Sequence, residues 1–143
     1  MKIRACVLLF QEDQILTLCY NYNQNEVYTL PGGNLEFGEY ISDCLIRELK
    51  EELYLDIKLE NFVAVGEVID DQKHTIHFIF KGTIISGEPM LNPKETSARS
   101  FNWLPVSCID QYNIYPNVKD LIKSVHVSKP VNPFLGKIDQ KWF

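Results

Sequence analysis

Between Gly32 and Leu55 the chain reads GGNLEFGEYISDCLIRELKEELYL, and the crowding of carboxylates there constrains the molecule more than any other stretch. At about 100° per residue, Ile41, Cys44, Leu45, Leu49 and Leu53 fall on one apolar stripe, which predicts an amphipathic helix over 41–53 with the stripe in the core. Glu48 and Glu52 are spaced i, i+4 and Glu48 and Glu51 i, i+3, so the three side chains converge at the edge of that stripe. They occupy the last two turns, where the helix dipole already disfavours negative charge. Arg47 pairs with Glu51 at i, i+4, but one guanidinium does not balance three carboxylates. A divalent cation does, and clustered carboxylate oxygens suit a hard ion, Mg²⁺ or Mn²⁺; no His or Cys in the segment has zinc spacing.

Ahead of the helix, the apolar run Val27 to Leu30 ends in Pro31-Gly32-Gly33, which reads as a strand entering a turn whose backbone can approach a ligand closely. Taken together, the spacing resembles the Nudix box, G-x5-E-x7-R-E-U-x-E-E-x-G-U with U apolar. Gly33, Glu39, Arg47, Glu48, Leu49, Glu51, Glu52 and Leu55 match it. At background residue frequencies, an accidental match to the polar and glycine positions is rarer than roughly one in a million per starting point. One position departs: Tyr54 stands where the box has Gly, so a non-glycine residue is expected in the left-handed helix exit, at a cost on the order of 1 kcal/mol.

The resemblance implies a three-layer α/β/α sandwich with a mixed central sheet, of the α/β (α+β) class. It also implies metal-dependent hydrolysis of a nucleoside diphosphate linked to another group. Carried over by position, Glu48 and Glu52 would be metal ligands, Glu51 a further ligand or the water-activating base, and the Gly32 carbonyl a backbone ligand. Arg47 would orient the glutamates, and Gly33 and Glu39 would support the loop and helix. In this family a glutamate in the loop before a Trp-containing strand often supplies another ligand or the base, and Glu95, eight residues before Trp103, is the candidate. Glu51, Glu52 and Glu95 all stay open as the base. An additional proline or tyrosine, which marks some subgroups downstream of the box, is absent around Asp70, Asp71 and Gln72, so no single substrate is named.

The remaining chain reads as one domain spanning 1–143. Its 45% apolar content suits a real core, and its longest apolar run, Ala5 to Phe10, is too short to span a bilayer. No charged-then-apolar leader is visible, and Cys6, Cys19, Cys44 and Cys108 lack paired spacing in segments that read as core, so buried, reduced thiols and a cytoplasmic location are expected. The net charge of −5 argues against stable nucleic-acid or acidic-membrane binding, though not against a phosphorylated small molecule whose charge a metal neutralises.

Lys2 to Phe10 and Ile15 to Tyr20 predict a hairpin, and Asn21 to Glu26 a polar loop in which Tyr22 either stacks on a base or sugar or is simply exposed. Ile57 to Ile69 carries two β-prone stretches, and His74 to Ile85 a strand, with a turn at Asp70 to Lys73. His77 on that strand is either a structural histidine or a substrate contact. Ser86 to Ser100 is a long loop, Phe101 to Leu104 a short strand with Trp103 in the core, and Pro105 to Gln111 and Pro116 to Val125 helices. The tail from about 126 to 143 is expected to be irregular, with Phe134, Leu135, Trp142 and Phe143 covering either the sheet or a second copy in a homodimer.

Two other functions share such a fold: a nucleotide sensor without turnover, expected to have lost a box glutamate, and a prenyl diphosphate isomerase. The isomerase needs a poised cysteine, which neither Cys44 on the apolar helix face nor Cys108 after a Pro-led turn resembles.

Overall fold

The computed structural model describes residues 1–141. Strands β1 (Lys2–Gln11) and β2 (Gln14–Tyr22) form the expected hairpin, but they pair only at Phe10↔Ile15 and Gln11↔Gln14. Beyond those two rungs they diverge into two half-sheets. β3 (Asn25–Thr29) pairs with β2, while β4 (Gly32–Asn34) pairs with β1. The segment read as a polar loop, Asn21 to Glu26, is therefore a second hairpin, with only Asn23 and Gln24 in the turn. Both have positive φ, which two-residue hairpin turns demand and Asn tolerates. Tyr22 accordingly sits at the end of a strand.

The expected turn at Pro31-Gly32-Gly33 continues as β4, because Gly32 lies so close to β1 that a Cβ there would come within 2.0 Å of the Ala5 carbonyl oxygen. Helix α1 (Ile41–Leu53) has the expected bounds and buries Cys44, Leu45, Leu49 and Leu53. Tyr54 takes the left-handed exit at φ 56°, and the N–H groups of Tyr54 and Leu55 donate back to the carbonyls of Lys50 and Leu49.

β5 (Asp56–Ile69) is one strand whose three register shifts account for the two separate β-prone stretches. It returns through the Asp70–Lys73 turn into β6 (His74–Ser86), which lies parallel to β1. β7 (Ser100–Pro105) adds to β2, a 3-10 helix follows at Val106–Gln111, and β8 (Ile114–Tyr115) pairs with β3. Because Ile114 and Tyr115 are taken into the sheet, α2 spans Lys119–His126 and starts later than Pro116.

The tail is not irregular throughout. β9 (Phe134–Lys137) runs parallel to β5 at the sheet edge, Leu135 packs on the core and Ile138 is buried, while Phe134 is exposed. Trp142 and Phe143 lie outside the described residues. Of the four cysteines, Cys6, Cys19 and Cys44 are buried as free thiols, but Cys108 is half-exposed on the 3-10 helix.

The mixed sheet runs β8-β3-β2-β1-β6-β5-β9 with helices on both faces. That explains the uninterrupted apolar run in β1. Cys6 and Leu8 point into the core shared with α2, and Ala5, Val7 and Leu9 into the core shared with α1, so neither face meets water. No helix among the described residues is long and apolar enough to cross a membrane.

Candidate active site

α1 lays its acidic edge along the seam between the half-sheets, and Gly33 of β4 makes room for it. A Cβ at Gly33 would meet the Glu48 carboxyl carbon at 2.2 Å, so the glycine is needed for the approach of Glu48 to the strand. A cleft of about 450 Å³ opens there, lined by Gly32, Gly33, Arg47, Glu48, Glu51, Glu52 and Glu95 from the sequence reading. Tyr22 lines it as well.

Arg47 organises this edge. Its Nε and Nη2 donate to the two oxygens of Glu39 at 3.0 and 2.7 Å, and its Nη1 donates to Glu48 at 3.0 Å and to Glu51 at 3.2 Å. Glu39 also accepts the Glu36 backbone N–H at 2.8 Å, closing the loop ahead of the helix. The Arg47 bonds, with that backbone donor, hold the Glu39 carboxyl down to about 2 and raise the guanidinium above its usual range.

Glu48 and Glu52 are different. Burial raises the Glu48 carboxyl, with Arg47 opposing, and burial followed by repulsion from Glu48 pushes Glu52 up to about 8. With each carboxyl disfavouring charge on the other, the two are reluctant to be ionised together. Among the described residues, no three His, Cys, Asp or Glu side chains already converge tightly enough to hold a metal ion. The donor chemistry nevertheless fits one, because two half-buried carboxylates that ionise reluctantly beside each other are relieved by a dication.

The Ser86–Ser100 loop is strapped to the end of α1. Asn92 donates from its side chain to the Glu51 carbonyl and from its backbone to the Glu52 carbonyl, both at 3.0 Å, and Met90 N–H donates to the Leu53 carbonyl. Glu95 N–H in turn donates to the Asn92 carbonyl, which sets Glu95, itself exposed, at the cleft.

His77 does not line the cleft. It is wholly buried, and its Nε2 lies 3.3 Å from the hydroxyl of Tyr115, which does. Burial, reinforced by the Arg4 charge, lowers the His77 ring to about 4, so it is neutral; its Nδ1 has no partner among the described residues.

Arg4, Tyr20, Thr29, Asn34, Tyr115 and the anchor Asn92 join the expected site residues here. Arg4, Asn34 and Tyr115 reach the cleft only through pairing between strands distant in the chain; Arg4, for example, lies opposite Asn34 and beside His77. The one available signal was a guanidinium at the head of an otherwise apolar strand.

Fold and site together define a sandwich that presents a carboxylate-bearing helix to a cleft at the seam of a mixed sheet. The chain belongs to the Nudix family: the NUDIX domain profile matches residues 1–125. It is 28% identical over 124 residues to the mRNA-decapping protein D10 of fowlpox virus, covering 79% of this chain and 55% of that one. It is 31% identical over 100 residues to the ADP-ribose pyrophosphatase of Methanocaldococcus jannaschii, covering 67% and 57%. The chain thus spans little more than half the length of these relatives. Among solved structures, a NUDIX hydrolase from Nitrosomonas europaea superposes with a TM-score of 0.74 at 20% identity, covering 90% of each chain, a likeness of fold.

Proposed function

We propose that this protein is a divalent-metal-dependent pyrophosphohydrolase that cleaves the diphosphate linkage of a nucleoside diphosphate derivative. The observation that carries the reading is the Glu48–Glu52 pair, two carboxyls kept reluctant to ionise by burial and mutual repulsion and aimed into a cleft. Glu48, Glu52 and the Gly32 carbonyl would hold Mg²⁺ or Mn²⁺, with Glu51 as a further ligand. When bound, the ion neutralises diphosphate charge and makes water more acidic.

The chain's own groups do the rest. Arg47 holds Glu48 and Glu51 in place while spending its other edge on Glu39. Arg4 carries positive charge on the cleft wall for the phosphates. A carboxylate, Glu51, Glu52 or Glu95, takes the proton as the water oxygen bonds to phosphorus; the bridging P–O bond breaks and its electron pair leaves with the departing phosphate. Tyr22 and Tyr115 offer aromatic walls for a nucleoside. The names of two relatives, an mRNA-decapping protein and an ADP-ribose pyrophosphatase, point the same way. The same reading takes 1–143 as one Nudix-type unit working in the reducing cytoplasm, in keeping with its free thiols.

The test is a panel of nucleoside diphosphate derivatives incubated with Mg²⁺, Mn²⁺ or EDTA, with products separated by chromatography. Cleavage that requires metal, and falls roughly 100-fold or more in Glu52→Gln, is expected. Turnover that survives EDTA, or an unimpaired Gln variant, would overturn the assignment.

A further inference from the structure

A second cavity of about 330 Å³ adjoins the carboxylate cleft and shares Arg4, Tyr22, Thr29, Asn34 and Tyr115 with it. Its far end has the opposite character. Lys2, at the start of β1, and Lys73, in the β5–β6 turn, both line it. Neither lysine, nor Arg4, forms a salt bridge among the described residues. The one carboxylate in the lining, Asp70, is engaged in its own turn, where its Oδ1 accepts the N–H groups of Gln72 and Lys73 at 2.7 and 2.6 Å. In a chain of net charge −5, three cations around one such cavity make a local positive field.

The middle of the connected space is suited to a nucleoside. Tyr115 is braced edge-on by the buried His77 ring, with centroids 5.3 Å apart, and Val27 and Val68 supply apolar wall. A nucleoside whose 5′-diphosphate lies against the α1 carboxylates would have its ribose 2′ and 3′ oxygens as the remaining points able to carry phosphate.

We infer that the Lys2–Lys73 end of this cavity binds a further phosphate, so that the preferred substrates are nucleoside diphosphate derivatives also phosphorylated on the ribose 2′ or 3′ oxygen. The inference rests on the proposed diphosphate site and names the substrate class for it. Such a phosphate belongs either to a small 2′- or 3′-phosphonucleotide or to the first internucleotide linkage of an oligonucleotide, whose 5′-terminal nucleotide alone enters the cavity.

Calorimetric titration of the full chain in Mg²⁺ with the 5′-monophosphates of the four common nucleosides, and with the matching 2′,5′- and 3′,5′-bisphosphates, tests it. For at least one nucleoside, a bisphosphate should bind about 10-fold more tightly than the monophosphate. That advantage should shrink between 50 and 200 mM salt and disappear in the exposed double variant K2A/K73A, which keeps its monophosphate affinity and its circular dichroism spectrum. Equal affinities within every pair, or an advantage that survives in K2A/K73A, would overturn the inference. Competition by a short 5′-phosphorylated oligonucleotide as strong as that of the bisphosphate upholds the site and identifies a polynucleotide end; competition by the bisphosphate alone upholds it for a small molecule. A bisphosphate preference without any hydrolysis in the substrate panel would leave this site standing and remove the enzyme reading alone.

Discussion

Arg47 grips both carboxylate oxygens of Glu39, eight residues earlier in the chain, at 2.7 and 3.0 Å, and thereby ties the loop ahead of α1 to the helix face that carries the acidic cluster. The grip depends on the planar fork of the guanidinium, because the remaining nitrogen must reach Glu48 and Glu51 at the same time. A lysine keeps the charge and loses that geometry. Arg47→Lys should therefore cost about 1–2 kcal/mol of stability and lower kcat about 10-fold or more. Thermal melts and steady-state assays check this; a variant with wild-type values in both would refute the positioning role.

The Glu48–Glu52 pair should make the metal-free protein pH-sensitive. With Glu52 raised to about 8, the folded chain keeps a proton that the unfolded chain releases near 4.5. This contribution is fully present below that lower value and is lost as pH rises through about 8. Glu52→Gln removes the trend, and at pH 8 in EDTA it should melt a few degrees higher than wild type, a gain on the order of 1 kcal/mol, while losing activity. Melts in EDTA at pH 5, 6.5 and 8 decide the matter, and an equal slope in the Gln variant would sink it.

His77 acts in the opposite direction. Its folded value of about 4 lies below the ordinary 6.5, so between those limits the unfolded chain binds a proton that the native state refuses. Stability should fall as pH drops from about 6.5 to 4, by up to on the order of 3 kcal/mol. Measured in the Glu52→Gln background, where the Glu52 contribution is absent, the acid slope should largely disappear on adding His77→Gln. Persistence of the slope would assign it to another group.

Tyr54 holds a backbone conformation that glycine adopts without strain. Tyr54→Gly should raise stability by about 1 kcal/mol, or about 3 °C in melting temperature, with activity retained. A fall in kcat would mean instead that the tyrosine exit sets the position of Glu52.

The box helix was legible to the residue because its signals are local: a 3.6-residue apolar stripe, a fixed spacing of glutamates, and glycines ahead of it. The β1–β2 hairpin and the Asp70 turn were legible for the same reason. β9 was not, since four residues containing Gly136 carry no periodicity and become a strand only by meeting β5, some seventy positions away. Pairing by register also hid Arg4 and Tyr115, which reach the cleft from β1 and β8 although nothing near them in the chain hints at it. The polar run Asn21 to Glu26 misled because composition suggests a loop, whereas two residues at positive φ suffice to turn the chain.

The two rungs that join β1 to β2 make the sheet a book with a narrow spine at Gln11 and Gln14. Arg4 stands on one cover and Thr29 on the other, and both line the cleft. A ligand that touches both clasps the covers, so occupancy should stiffen the whole sheet as well as its own pocket.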